Sequence, residues 1–312
     1  MVTLLAPLAT QSGVRDLYIS EDRYLFTVTS AGVSIIDLYM SEVISSGIPP
    51  GIATCVTVDT SAPVRKFYVG TSGNGIFSGP YNLAIHSSGL EFSSYLTLAF
   101  STGTSPAILS DYINSLSAAN GGLLISSSVG VDFITNSLLG ASRTVTSGSS
   151  SCVLTNTGEA YWTVVNSGIE TCYNILPSSG TGVIPVSFQY DALTSVPPLP
   201  SNVINDIAVS KTAYNTLGFA TGVGGFIVRE MQGSEGASLY KSLFSSDNIS
   251  SVSFSSQAAY DSGRVYLVGA VDMKIFSLSD NTVFETYNSE SGPRGQTLAS
   301  GTLSKVRTSS SA

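Results

Sequence analysis

His86 is the single histidine of the chain, so neither a Ser-His-Asp triad nor a histidine-rich metal site has the material it needs. It follows the apolar run Leu83-Ala84-Ile85 and reads as a surface residue. Chemistry would therefore fall to carboxylates. Glu21-Asp22, Asp59, Asp111, Asp206, Asp261 and Asp280 lie near strand ends or turns, where aspartate usually accepts hydrogen bonds from local backbone N–H groups. A pair held about 5–10 Å apart could cleave a glycosidic bond. Several could hold Ca²⁺ through their oxygens, although no Asp-x-Asp-x-Asp loop is present.

The glycine-rich pieces are not phosphate loops. Gly73-Asn74-Gly75 and Gly222-Val223-Gly224-Gly225 are followed by no Lys-Ser/Thr and open no helix, so they read as hairpin turns. No cofactor is expected. Asn248-Ile249-Ser250 is a formal N-glycosylation sequon. Tyrosine is abundant, 15 against the one tryptophan, Trp162. Exposed tyrosines suit carbohydrate and protein contact, being amphipathic and cheap to order. Tyr18, Tyr24, Tyr68, Tyr161, Tyr214 and Tyr266 fall on or near strands, and half or more of them are expected in the core.

The elements that would position these groups are most legible between Leu199 and Glu230. Pro197, Pro198 and Pro200 mark a connector, since proline cannot donate to a ladder. From Val203 to Ser210 the residues alternate, with Ile204, Asp206 and Ala208 on one face and Val203, Asn205, Ile207 and Val209 on the other. Leu217 to Thr221 is a second run, a glycine turn follows, and Phe226 to Val228 is a third. This is a strand meander.

Five weaker copies recur. They begin at Val14, Ala53, Tyr112, Ser151 and Ile249, with second strands from Tyr24, Lys66, Leu123, Ala160 and Arg264. Their turns align on Gly32, Gly75, Gly130, Gly168, Gly224 and Asp272, at intervals of about 40 to 55 residues, the period of β-propeller blades. One inner-strand column, Leu17, Val56, Leu116, Val153, Ile207 and Val252, is apolar in every copy. The column before it, Asp16, Cys55, Ser115, Cys152, Asp206 and Ser251, is small or polar in every copy. Its members Asp16, Ser115, Asp206 and Ser251 are the candidate site, at the mouth of a central channel. The expected fold is all-β, a six-bladed propeller spanning residues 1–290, with a polar tail over 291–312. A seventh blade is the alternative if Tyr81 to Pro106 forms one of its own. Helical periodicity is scarce, and only Ser110 to Ala118 could pass for it. Val2 to Leu5 or Thr302 to Val306 could add an outer strand and cover a terminal edge.

Leu199-Pro200-Ser201, then Val203 and Ile207, then Thr221 with Gly224-Gly225 resemble the short propeller repeats in sensor domains of bacterial two-component regulators. The likeness covers roughly thirty residues here and less in the other copies. It implies a propeller and carries no site. A sensory role is not carried over, because no kinase or membrane segment accompanies the repeat. The Ser-x-Asp-x-Gly-x-Thr-Trp box of sialidase-like propellers is not found.

Three cysteines, Cys55, Cys152 and Cys172, argue against a disulfide framework. Cys152 and Cys172 fall on the first and third strands of one blade, roughly 10 Å apart from the strand spacing, too far for a bridge. Buried free thiols are expected.

Charged residues make up only 11% of the chain, against about 25% in ordinary domains. The hydrophobic fraction, 43%, rules out a disordered chain. The formal charge is −8 and the 13 basic residues are dispersed, so nucleic-acid binding is not expected. No run approaches a membrane-spanning length. The N-terminal Met1 to Gly13 has no basic region and does not read as a classical signal peptide. The expected role is a non-enzymatic interaction or structural module contacting other protein subunits, with a virion capsid or tail, or another extracellular particle, as its setting. A glycan-binding propeller that recognises cell-surface receptors and a polysaccharide hydrolase or lyase are the alternatives.

Overall fold

The computed structural model describes residues 13–20, 23–40, 42–61, 65–82, 92–135, 142–145, 147–175, 182–193, 198–199, 201–210, 216–230, 237–243, 247–254, 264–269, 272–277 and 282–288. They form six four-stranded antiparallel sheets arranged as a ring, a six-bladed β-propeller. Blade 1 holds β1 (Asp16–Ser20), β2 (Tyr24–Thr29), β3 (Gly32–Asp37) and β4 (Glu42–Gly47). Blade 2 holds β5 (Ile52–Asp59), β6 (Lys66–Ser72), β7 (Ile76–Pro80) and β8 (Thr97–Phe100). Blade 3 holds β9 (Ile113–Ala119), β10 (Gly122–Ser127), β11 (Gly130–Thr135) and β12 (Ser142–Val145). Blade 4 holds β13 (Cys152–Leu154), β14 (Ala160–Val164), β15 (Gly168–Cys172) and β16 (Phe188–Tyr190). Blade 5 holds β17 (Ile204–Ser210), β18 (Thr216–Thr221), β19 (Gly224–Glu230) and β20 (Ala237–Leu243). Blade 6 holds β21 (Ile249–Phe254), β22 (Arg264–Gly269), β23 (Asp272–Ser277) and β24 (Thr282–Asn288).

Within each blade, order along the chain is order from axis to rim. All six expected turns fall between the second and third strands. The segment from Tyr81 to Pro106 is not a seventh blade. It supplies a short 3₁₀ turn, Phe92–Tyr95, and β8, which pairs with β7 as the outer strand of blade 2. An isolated turn and one strand bury too little to form a blade. Within Ser110 to Ala118 the chain enters β9 at Ile113 and forms no helix. Val2 to Leu5, His86, Glu21-Asp22, Asp261, Asp280, Tyr214 and the tail 291–312 lie outside the described residues.

The two-residue strand period builds the seams between blades. Consecutive residues serve opposite neighbours: Leu123 packs with blade 2 in one cluster with Cys55 and Tyr68, and Leu124 packs with blade 4 in another with Trp162 and Cys152. In blade 4, Trp162 faces blade 3 and Tyr161 faces Phe219 and Ile207 of blade 5. Each such buried large side chain contributes about 1.5–3 kcal/mol. Trp162 is fully buried, and its indole N–H donates to Glu170 Oε2 of the adjacent strand at 2.9 Å. Between blades 1 and 2, Phe26 stacks on Tyr81 at 6.0 Å and tilts against Phe67 at 6.2 Å. Gly218 lets blade 6 approach: a Cβ there would sit 3.0 Å from the Phe254 ring.

Candidate interaction face and central channel

The inner strands β1, β5, β9, β13, β17 and β21 surround an axial cavity of about 280 Å³. Every member of the apolar column lines it: Leu17, Val56, Leu116, Val153, Ile207 and Val252. The polar column alternates with that one and makes hydrogen bonds across the seams. Asp16 accepts the Val56 N–H at 3.1 Å, from blade 1 to blade 2. Ser115 accepts the Cys152 N–H at 3.4 Å, from blade 3 to blade 4. Asp206 accepts the Ser251 hydroxyl at 2.6 Å and the Val252 N–H at 3.4 Å, from blade 5 to blade 6. Its second oxygen accepts the Ser151 hydroxyl of blade 4 at 3.1 Å. Asp16 and Ser115 reach the cavity wall, but Asp206 and Ser251 have no exposed surface and do not line it. Of the four candidate residues, Asp16 and Ser115 therefore border the channel while bonding across a seam, and Asp206 and Ser251 lie within the seam. Strand alternation puts the two columns on opposite faces of the inner strand, and Val56, Leu116, Ile207 and Val252 of the apolar column pack in the buried inter-blade clusters while also bordering the cavity.

A second set of links, missed in the sequence, lies beside this column. Arg15 donates to the Ala53 carbonyl (3.2 Å), Thr54 to Ile113 (2.7 Å), Asn114 to Ser149 (2.8 Å), Ser150 to Ile204 (3.3 Å) and Asn205 to Ile249 (2.8 Å). In the first four the acceptor is the residue just before the next donor. Thr54, Asn114 and Asn205 stand at irregularities where the inner-strand register shifts by one, which frees an extra side chain.

Two of the carboxylates singled out in the sequence hold loops. Asp59 is buried and accepts from the Ser61 N–H and hydroxyl, and Asp111 accepts from the Thr102 N–H and hydroxyl. Both are ordinary turn clamps. Among the described residues no three His, Cys, Asp or Glu side chains gather to hold a metal. Cys55, Cys152 and Cys172 are buried and free. Burial raises the thiol pKa of all three, to about 11 at Cys152, which removes the thiolate that nucleophilic chemistry needs.

The two ends of the ring differ. One end carries the turns between second and third strands together with the blade-to-blade connections. Its exposed side chains include Val129, Val165 and Val223 at the tips of blades 3, 4 and 5, and Ile48, Ile52, Tyr112, Leu193 and Val203 on connections. Leu193 is 86% exposed. The tips are fastened by a recurring hydroxyl. Thr29, Thr71, Ser127 and Thr221 each donate to the carbonyl of the turn glycine (Gly32, Gly75, Gly130, Gly224). The same hydroxyls accept an N–H from within the turn. The signal for this in the sequence is a Ser/Thr three or four residues before each of these four glycines.

The opposite end carries charge. Asp37 accepts both Arg23 Nε (2.9 Å) and Nη2 (2.6 Å), and the Tyr39 and Met40 N–H groups. The Arg23 hydrogen bond holds the Asp37 carboxyl below the usual range. The guanidinium lies 5.1 Å from the Tyr24 ring and 5.8 Å from the Tyr39 ring, so Tyr39, 76% exposed, is presented on a fixed support. Of the other strand tyrosines, Tyr68 and Tyr161 are buried and Tyr18, Tyr24 and Tyr266 are half-buried.

No family model matches this chain. No curated protein matches it either. Many solved structures share its shape. They include the extracellular domain of the putative hybrid two component system BT3049 from B. thetaiotaomicron, with a TM-score of 0.61 and 12% identity, over 94% of this chain. The chain spans only 37% of that protein's length. KlHsv2 with loop 6CD replaced by a Gly-Ser linker gives 0.61 at 9% identity, covering 95% of this chain and 85% of that one. Chaetomium thermophilum Raptor gives 0.65 at 9% identity, covering 91% and 25%. The first bears out the resemblance carried by the repeat, and all three likenesses, at such low identity, establish the fold alone: a six-bladed β-propeller.

Proposed function

We propose that this propeller is a non-catalytic interaction module, one subunit of a larger protein assembly. The observation that carries the reading is the tip end of the ring, where Val129, Val165 and Val223 stand exposed on the blade tips and Leu193 and Val203 on the connections beside them. Interface cores are depleted of charge and need rigid apolar contacts. The commitment of Asp16 and Asp206 to seam hydrogen bonds supports a role other than hydrolase or lyase. The setting we infer, a virion or another extracellular particle, rests on the low charge content of 11% and the Ser/Thr/Gly-rich surface. The test is the mass of the native complex that contains this chain, by electron microscopy or light scattering. A large symmetric assembly with the tip end buried supports the reading. A free monomer in its native source overturns it.

A second reading, glycan recognition, is favoured by Tyr39 on its Arg23 support and by exposed Tyr112. Binding on a glycan array that disappears with Tyr39→Ala would support it, and an array without binding would overturn it.

A further inference from the structure

We propose that the ring opens at one place, the seam between blades 6 and 1, and that this opening gives the axial cavity a side entrance. The inference goes beyond the assembly reading and does not rest on it.

Chain order sets this seam apart. Among the described residues each blade is four consecutive strands, so blades 1 and 6 exchange no strand. Each of the first five blades leads by a connection into the next, and no stretch of chain leads from blade 6 back to blade 1. The polar links run the same way. Arg15 donates to Ala53 of blade 2, Thr54 to Ile113 of blade 3, Asn114 to Ser149 ahead of blade 4, Ser150 to Ile204 of blade 5 and Asn205 to Ile249 of blade 6. Ser250 holds the next place. It follows the acceptor Ile249 directly and stands at the same one-residue register shift as Thr54, Asn114 and Asn205. Its hydroxyl turns back and donates to the Val268 carbonyl of its own blade at 3.1 Å. Other links also point away from the seam. Asp16 and Tyr18 bond to Val56 and Val58 of blade 2. Ser251 bonds to Asp206 of blade 5, and Lys274 pairs with Asp247 of the connection from blade 5.

Apolar packing follows the same division. Five buried clusters bridge blades 1 and 2, 2 and 3, 3 and 4, 4 and 5, and 5 and 6. The walls of the sixth seam are the opposite faces of blades 1 and 6. In blade 1, Phe26 and Ile35 pack toward blade 2, so Leu25 and Ile36, paired beside them, face blade 6. In blade 6, Leu267 and Phe276 pack toward blade 5, so Val268 and Ile275 face blade 1. Ile36, Val268 and Ile275 are all buried, so the seam is shut in the structure. Among the described residues it lacks what the other five share: a connection, a relay hydrogen bond and a bridging cluster. Local opening takes the route with the fewest ties to break. Here it parts β1 from β21, whose Leu17 and Val252 border the cavity.

The experiment is thiol labelling of the full chain at neutral pH, below the urea concentration that unfolds it, read by mass at each cysteine. Val268→Cys and Ile36→Cys place a thiol on either wall of the seam. Val69→Cys, buried between blades 1 and 2, is the matched control. The native Cys55 and Cys152 report on the seams between blades 2 and 3 and between blades 3 and 4. Urea unfolding measures the stability of each variant, and rates are compared at equal stability. Thr27→Cys, a smaller change on the same wall, replaces Ile36→Cys if that variant does not fold. The two wall thiols should label at equal rates, about tenfold or more faster than the control and the native thiols. A wall thiol no faster than the control overturns the proposal. Fast labelling of one wall without the other also overturns it, since that is fraying of a single blade. Either failure leaves the assembly reading standing, because the mass of the native complex tests that reading separately.

Discussion

The Asp206 carboxylate accepts a 2.6 Å hydrogen bond from the Ser251 hydroxyl across the seam between blades 5 and 6, and neither residue has exposed surface. With Ser151 on its other oxygen, one carboxylate joins three consecutive blades. Removing it strands several buried donors at once. Asp206→Ala should therefore lower stability by about 3 kcal/mol or more, since hydrogen bonds to a charged group are worth about 1.5–3 kcal/mol each. Ser115→Ala, which removes one 3.4 Å acceptor, should cost about 1 kcal/mol or less. Urea unfolding of the two variants measures both. Equal losses would mean that the Asp206 network is not a clamp.

The columns that revealed this seam were legible in the sequence because a propeller repeats its inner strand six times in one register. Agreement of Leu17 with Ile207, and of Asp16 with Asp206, over nearly 200 residues reflects equivalent places in equivalent blades. What the alternation alone could not say was which neighbouring blade each column meets. Both faces of an inner strand are covered by a blade, and residues of both columns border the channel along its edge, so polarity does not tell one side from the other. The seam links of Thr54, Asn114 and Asn205 were hidden for another reason. Each depends on a one-residue register shift, which leaves no mark in composition. Tyr81 to Pro106 suggested a further blade because a long connection and an extra blade look alike until strand pairing is known.

The turn hydroxyls give a direct test of how the tips are held. Thr221 is fully buried, donates to the Gly224 carbonyl at 2.9 Å and accepts the Val223 N–H at 3.1 Å. Thr221→Val keeps the shape and removes both bonds. The expected loss is about 1–3 kcal/mol, the cost of leaving buried groups unpaired, with faster hydrogen exchange at Val223. An unchanged exchange rate at that amide would show that the hydroxyl does not hold the turn.

Gly168 carries φ +90°, and a Cβ there would run into the Tyr190 carbonyl of the adjacent strand. Gly168→Ala should cost more than the roughly 1 kcal/mol of an ordinary unfavourable φ, because the obstruction is backbone and cannot rotate away. Thermal unfolding should separate it clearly from Gly222→Ala, where nothing lies within 4 Å of the added carbon. Similar midpoints for the two would contradict the described blade 4 turn.

The three thiols should be silent in the native protein. Cys55 and Cys152 are held by burial above the ordinary thiol range, and Cys172 is raised by the same cause. A thiol reagent at neutral pH should label none of them until denaturant is added, and then all three. Rapid labelling of native protein would place at least one cysteine at an open surface.

Alkaline pH should loosen the seams between blades 1, 2 and 3 before the rest. Burial, followed by the charges of Tyr81 and Asp59, pushes the Tyr18 phenol up to about 12. Tyr68 is likewise raised to about 12 by burial and then by Asp59. Tyr18 donates to the Val58 carbonyl of blade 2 at 3.2 Å, a bond only the protonated phenol can make. An unfolded tyrosine titrates near 10. The folded state therefore prefers the proton. That preference contributes fully below about pH 10 and is lost as pH rises through about 12. A shift of about two units corresponds to roughly 2–3 kcal/mol for each phenol. Stability measured by urea unfolding should accordingly fall between about pH 10 and 12, alongside the rise in tyrosinate absorbance. Tyr18→Phe should flatten that fall while costing about 1 kcal/mol at neutral pH through the lost hydrogen bond. If Tyr18→Phe leaves the alkaline slope unchanged, its phenol is not held protonated by the seam and the packing of blade 1 on blade 2 is looser than described.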